Sequence, residues 1–338
     1  MSALGSAKIL SQMAVTVTQL RSFLAVVRTG SVTAAADELV VSQPSVSAAV
    51  TALARELGVD LTERVGRNVR PSPAGEVFAE YAADIIGLLD QGARAAREAA
   101  DRAAVELRIG AVTTAGEHIA PQLMQAFHAR HPEITLSVDV GNRERVFERL
   151  RTHRSDIAIG GRPPDAALTA QRFLDNPIVV ITAPDDPLAR SRRVRVEQLG
   201  SRPWLLREEG SGTRAMTEEF LAAHDLHPPI RTLGSNGAIK QAARAGLGVS
   251  LQSRLATHLE VELGLLATIH VDVPLPRRQW YVIRPAHGPL RPAVEQFLAF
   301  VHSREAQDAV ERGQTLNPRV TTPRARAPGD PAPPPPGP

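Results

Sequence analysis

Cysteine is absent from the 338-residue chain. That absence excludes disulfides, thiol catalysis and cysteine-based zinc sites, and it fits a reducing compartment. Long apolar runs are also missing. No stretch approaches the ~20 residues that a membrane-spanning helix needs, so no membrane partner is expected. The opening residues, MSALGSAKILSQMAVTVTQL, lack an extended apolar segment running into a small-residue cleavage site. They read as a ragged extension rather than a signal peptide, which points to a cytoplasmic protein. Lysine is nearly absent too: Lys8 and Lys240 are the two lysines among 39 Lys and Arg residues. Net charge is only +3, although the pI is about 9.9. Overall charge therefore does not single out a nucleic-acid partner; its distribution must do so. The retained Lys240 raises a question of its own. Asn236 reads as a helix N-cap, which puts Lys240 just past a first turn, where the macrodipole disfavours a cation. A nearby negative group would account for it.

What is present divides the chain by composition. The length allows two or three domains, and 43% hydrophobic content is ordinary for a globular protein. Residues 1–16 are the extension. Residues 17–72 are short helical patterns rich in Ala and Val. Residues 73–104 make one long Ala-rich helix. Residues 105–303 alternate short β-branched runs with amphipathic helices. Residues 304–338 turn polar and then Pro-rich, ending RARAPGDPAPPPPGP, the composition of a disordered tail. No solenoid period occurs.

In the first of these zones Leu20, Phe23, Leu24 and Val27 form one helical stripe, which Gly30 stops. SVTAAADELVVSQPSVSAAVTALARELG then reads as two helices around a tight Val40-Val41 turn. Ser31 caps the first, with Ala35, Ala36 and Leu39 inward. Ser42 caps the second, and Pro44 sits in its first turn, where its missing N–H costs nothing. Val46, Val50 and Leu53 face inward; Gln43, Ser47 and Thr51 line the outer face. Small alanines let two helices cross closely, as a helix-turn-helix requires. The outer face holds short hydrogen-bonding groups suited to base edges, since Gln addresses adenine bidentately and Ser or Thr addresses either base type. Phosphate attraction must come from elsewhere. ERVGRNVRPSPAG supplies Arg64, Arg67 and Arg70 around a Gly66 turn, as in a β-hairpin wing. Helix N-termini at Ser31 and Ser42 offer further phosphate contacts. A small helical bundle with a solvated polar face is the plainer alternative.

The run FLAVVRTGSVTAAADELVVSQPSVSAAVTALARELGVDLTERVGRNVRPSPAG resembles the winged helix-turn-helix of LysR-type transcriptional regulators. Many positions agree in order and spacing: the Gly-Ser-x-Thr-Ala-Ala-Ala run, Ser-Gln-Pro-x-Val-Ser, an Arg-bearing wing and the turn into the next helix. The resemblance implies that double-stranded DNA is the partner. It places Gln43, Pro44, Ser45 and Ser47 toward the major groove, Ser31 and Thr33 near phosphate, and Arg67 on the wing. Three departures stand out: Ala48 where the family has a larger polar residue, Leu53-Ala54 for Leu-Glu, and Leu61-Thr62 for Leu-Phe.

From Ala74 onward, Phe78, Tyr81, Ile85, Leu88, Gly92, Ala95 and Ala99 follow alternating spacings of three and four, an a/d seam. Packing on its own chain would also explain it. A homodimer is the expectation, with pairing into a homotetramer, because two half-sites multiply the affinity of one weak module.

In the third zone VELRIGAV, ITLSVDV, DIAIGG and IVVITA are strand-like, with HIAPQLMQAFHARH and NRERVFERLRTH as helices between them. PWLLRE, GTRAMTEEFLAAHD, AIKQAARAG and VSLQS form a second set, and RRQWYVIR with PLRPAVEQFLAFVH should return to the first lobe. The alternation predicts parallel sheets with ligand at strand C-terminal ends. Polar clusters fall there: Thr113-Thr114, Asn142-Arg143, Arg162, then Ser211, Thr213 and Arg214, then Asn236 with Lys240. Hydroxyls, helix N-termini and cations together suit a carboxylate or phosphate. GSGTR is not a nucleotide phosphate loop, because no Gly-Lys-Ser/Thr follows.

GNRERVFERL, GGRPP, REEGSGTR, AIKQAARAGLGVSL and RRQWYVIR are similar to the effector domain of the RuBisCO-operon regulators, a LysR subgroup responsive to phosphorylated or related carbon metabolites. That resemblance, over roughly residues 17–303, implies an α/β chain with an N-terminal all-α winged helix-turn-helix and a long linker helix. After these it implies a two-lobed effector domain of the periplasmic-binding-protein-like type 2 fold. Gly237 stands where the subgroup carries Glu. Two other classes compete. An enzyme acting on phosphorylated metabolites finds little support: His128 and His131 suit a helix end, no Gly-x-Ser-x-Gly occurs, and no cofactor or metal is implied. A small-molecule-binding protein of the same lobe fold would need an export signal and would lack the helix-turn-helix.

Overall fold

The computed structural model describes residues 14–66, 68–100, 105–163 and 167–313. Helix α1 (Val17–Thr29) begins in a capping box of Thr16 with Gln19 and ends at Gly30, whose left-handed φ of 66° closes it. Helices α2 (Val32–Leu39) and α3 (Gln43–Leu57) start at Ser31 and Ser42, whose side chains accept from the Ala34 and Ser45 N–H groups. Leu20, Phe23 and Leu53 are buried in one small core; Ala25, Ala35, Ala36 and Val46 fill the other. The turn between α2 and α3 holds Val40 at φ 56°, a conformation β-branched residues resist. Strands β1 (Thr62–Val65) and β2 (Asn68–Pro71) form an antiparallel hairpin, tied to α1 by the Val69 N–H donating to Gly30 O at 2.9 Å.

The long helix is α4 (Pro73–Ala100). The expected seam is only partly its free face. Phe78 packs on Phe23 with ring centroids 5.8 Å apart, and Leu88 lies against Gly288. The exposed row is instead Val77, Tyr81, Ile85 and Leu89, one position per turn. Its opposite side presses on the following domain. A Cβ at Gly87 would lie 2.2 Å from His153 Cδ2, so this close approach requires glycine.

Lobe I is a five-stranded sheet in the order β4-β3-β5-β12-β6, made of β3 (Glu106–Val112), β4 (Thr135–Gly141), β5 (Ile157–Gly160), β6 (Leu168–Asn176) and β12 (Arg278–Pro285). Strands β4, β3 and β5 are parallel; β12 runs antiparallel to β5 and β6. Helices α5 (Thr113–His118), α6 (Ala120–Arg130) and α11 (Pro292–Val301) share the main core, and α7 (Arg143–Arg151) covers the other face. The expected tail from residue 304 is corrected at its start. Helix α12 (Arg304–Arg312) buries Ala306, Ala309 and Val310 in the lobe I core, because three small apolar residues share one helical face. Residues 314–338 lie outside the described residues.

Lobe II contains β7 (Ile178–Thr182) flanked by β10 (Ser250–Ser253) and β11 (Ala267–Ile269), and a parallel pair of β8 (Trp204–Arg207) and β9 (Ile230–Leu233). Helices α8 (Gly212–Ala223), α9 (Asn236–Arg244) and α10 (Arg254–Glu262) pack around them. The expectation of parallel sheets throughout fails here, since both neighbours of β7 are antiparallel to it. Strand β7, which its sequence grouped with the first set, belongs to this lobe. The chain crosses between lobes at Pro177 and again at residues 270–277. Among the described residues no helix is long and apolar enough to cross a membrane.

Candidate functional site: a polar helix face and an interlobe cleft

Two surfaces carry the expected residues. On α3, Gln43, Pro44, Ser45, Ser47 and Thr51 are exposed, together with Ala48, while Val46 and Leu53 are buried on the opposite side. Ser45 is not free: its Oγ lies 2.7 Å from Ser42 Oγ, within the N-cap. Thr33 is exposed, Ser31 half-buried, and Arg64 exposed on β1. Arg67 lies outside the described residues.

The second surface is a cleft between the lobes, at the C-terminal edge of β3, β4 and β5. Thr113, Thr114, Asn142, Arg143, Ser211 and Thr213 all line it. Local caps set their positions. Asn142 Oδ1 accepts from the Arg145 N–H at 2.9 Å, and Ser211 Oγ accepts from the Thr213 N–H at 3.3 Å, so α7 and α8 direct their N-termini at the cleft. Asn236 braces the wall instead of lining it. Its amide donates to Thr114 Oγ1 at 3.1 Å and its carbonyl accepts from Arg207 Nη1 at 2.6 Å, joining the lobes. The N-cap of α9 is Ser235, not Asn236, because Ser235 accepts from the Ala238 N–H.

Three expected residues lie elsewhere. Arg162 is exposed beside the cleft mouth, and its carbonyl accepts from Arg143 Nη2 at 3.2 Å. Arg214 pairs with Glu218 at 2.7 Å, one turn along α8. Lys240 is paired within its own lobe: Nζ stands 2.6 Å from Glu260 Oε1 and donates to Ala256 O at 3.0 Å. Its reading as an effector contact is thus corrected; the anion that offsets its unfavourable helix position is Glu260.

Arg207, Asn176, Ser253, Trp280 and Arg278 also line the cleft. Arg207 ends β8 and was legible as a strand-end residue. Arg278 was not, because it begins an antiparallel strand, and the strand-end rule looks only at C-termini. Register explains its place: Tyr281 pairs with Gly160, so Arg278 projects past the same sheet edge. Arg278 Nη1 donates to Gly212 O at 2.6 Å, and Arg143 lies over the Phe147 ring at 5.1 Å. Gly161 makes room, since a Cβ there would sit 2.7 Å from Arg278 Nη2. Arg207 is neutralised by Glu208 at 2.7 Å, whereas among the described residues neither Arg143 nor Arg278 forms an ion pair. Burial, then the charge of Arg143, holds the Arg278 guanidinium below its ordinary pKa. Two guanidinium groups, two helix N-termini and several hydroxyls are chemically suited to a small anion.

Comparison with known proteins agrees with this division. Residues 100–306 match the LysR substrate binding domain, and residues 17–76 match the bacterial regulatory helix-turn-helix protein, lysR family. The chain is 34% identical over 293 residues to the HTH-type transcriptional activator CmpR of Synechocystis, covering 86% of this chain and 96% of that protein. It is 38% identical over 299 residues to the RuBisCO operon transcriptional regulator of Allochromatium vinosum, covering 87% and 98%. Both are named as regulators, not enzymes. Among solved structures it is similar to the Synechocystis CcmR regulatory domain in complex with 2-PG, with TM-score 0.56 and 34% identity, over 58% of this chain and 95% of that one.

Proposed function

The chain belongs to the LysR family of transcriptional regulators, and on that premise we propose that a small phosphorylated or carboxylated metabolite in the interlobe cleft controls its grip on double-stranded DNA. The reading gives residues 17–72 to DNA, α4 to pairing of two copies, and residues 105–313 to the metabolite. The exposed row on α4 supports a homodimer, which a further pairing would make a homotetramer; a DNA-binding regulator of this family works in the cytoplasm.

The carrying observation is the pair Arg143 and Arg278, two cations that form no ion pair among the described residues and stand at converging helix N-termini. The relative crystallised with 2-PG supports a phosphorylated acid as the class. The cleft cavity has a volume of about 40 Å3, room for water but not for a sugar phosphate. A metabolite of that size needs the lobes to part or the Arg143 and Arg278 side chains to swing aside, and parting the lobes would link binding to lobe setting. Lobe I presses on α4, and α4 carries the DNA-binding domain; a change in lobe setting therefore moves the two α3 helices of a dimer relative to each other.

Isothermal titration of the full-length chain with 2-phosphoglycolate, 3-phosphoglycerate, ribulose 1,5-bisphosphate and 2-oxoglutarate tests the reading. At least one should bind saturably, and Arg143→Ala should weaken that binding about tenfold or more. No saturable binding by any of the four, or full affinity in the variant, would overturn it.

A further inference from the structure

Helix α4 also walls a crevice between the DNA-binding domain and lobe I, with a volume of about 520 Å3. One side is apolar, made by Leu24 and Val27 of α1, Leu39 of α2 and Ile86 of α4, all half-buried. The other side is basic, made by Arg94 of α4 and Arg108 of β3. Behind these arginines lies a buried ion cluster. Asp156, whose side chain is 1% exposed, stands 2.6 Å from Arg291, 3.2 Å from Arg108 and 3.6 Å from Arg94. Glu98 pairs with Arg291. Three arginines thus share two carboxylates, and the shortfall lands on Arg94. Its Nε and Nη2 are buried without a hydrogen-bond acceptor, and so is Nε of Arg108. Those atoms are sealed from the crevice as well; a ligand reaches the part of Arg94 and Arg108 that stays open, 18% and 25% of the two side chains. Burial first, then the charge of Arg108, holds the Arg94 guanidinium below its ordinary pKa. Of the acids lining the crevice, Asp90 pairs with Arg21 at 3.1 Å and also bears on Arg94, Glu38 pairs with Arg28, and Glu148 lies beside them.

We propose that this crevice is a second ligand site, for a small organic carboxylate with an apolar body. The carboxylate meets Arg94 and Arg108, and the hydrocarbon lies on Leu24, Val27, Leu39 and Ile86. An apolar concavity with a few convergent polar groups is the usual form of a small-molecule site. An inorganic anion would leave the apolar wall unused, and a neutral hydrocarbon would make no use of the Arg94 and Arg108 charges. The site differs from the interlobe cleft in kind and in place. Its occupant touches α1 and α2 as well as β3, so it biases the DNA-binding domain against lobe I directly, without lobe closure.

The test titrates full-length protein with cyclohexanecarboxylate, with cyclohexylmethanol and acetate as probes lacking the charge or the apolar body. The acid should bind saturably. The other two should bind at least about tenfold more weakly, as should the acid to Arg94→Met. Ile86→Gln, on the apolar wall, should weaken binding as well, which keeps the idea testable if Arg94→Met fails to fold. Arg278→Gln, in the interlobe cleft, should leave affinity for the acid unchanged. Absence of saturable binding, equal binding of acid and alcohol, full affinity in both crevice variants, or loss in Arg278→Gln would each overturn the proposal.

Discussion

Lys240 and Glu260 are 15% and 26% exposed and form a pair on the flank of lobe II. Removing one partner of a fully buried pair costs about 3–5 kcal/mol, and partial exposure reduces that figure. Lys240→Met is therefore expected to cost about 1–2 kcal/mol of stability, seen as a lower midpoint in calorimetry. Affinity for an anion in the cleft should stay within about threefold; a larger loss would return Lys240 to the effector site. The same lysine acts on a neighbour. Burial first, then the Lys240 charge, holds His118 on α5 below its ordinary pKa. The folded chain keeps this imidazole neutral while the unfolded chain takes up a proton. Stability is then independent of this group above the ordinary His pKa of about 6.5 and falls as pH drops below it. His118→Gln should flatten the decline in melting temperature between about pH 7 and about pH 5; an unchanged slope would mean that His118 titrates normally.

Helix α4 shows where elements are legible and where they are not. Its start at Pro73 follows from local signals, as do the caps Ser31 and Ser42 and the stop at Gly30; its expected last residues, 101–104, lie outside the described residues. Which face it offers a partner does not. Periodicity marks apolar stripes, but it cannot say which stripe the chain itself covers, and here Phe78 and Leu88 are taken internally. The turn at Val40 is another silent place, because nothing in a valine announces a left-handed backbone. The exposed row contains Tyr81, 64% exposed, and Ile85, 48% exposed. Two like charges facing their symmetry mates across an apolar seam would be strongly disfavoured. Tyr81→Glu with Ile85→Glu should convert dimers to monomers in light scattering. Affinity for a two-half-site duplex should fall about 100-fold, while a single half-site is bound as before. A double variant that remains dimeric would place the interface elsewhere.

At the scale of the molecule, the lobes were legible as an alternation of strands and helices, but their sheet order was not. Strand β6 escaped notice because LTAQRFLDN shows no clean alternation; the return of RRQWYVIR to this lobe was expected, but not the place of β12 between β5 and β6. Strand order arises from long-range pairing that local pattern does not encode. One cleft residue that reaches from lobe I to lobe II, Arg278, was hidden for this reason. It belongs to lobe I yet donates to Gly212 O of lobe II, so it already spans the gap that a ligand would part. Among the described residues it forms no ion pair, and Glu219 bears on it only through space. A ligand that draws Arg278 from Gly212 exchanges an interlobe contact for a ligand contact, and that exchange is the differential interaction a population shift requires. The group touches neither α3 nor the α4 row, so basal DNA binding should not depend on it. In Arg278→Gln, affinity for a duplex selected from random sequence should stay within about threefold of the wild type. Footprints with and without 2-phosphoglycolate should differ for the wild type and coincide for the variant. A variant footprint that still shifts with the anion would mean that the lobes are coupled through other residues.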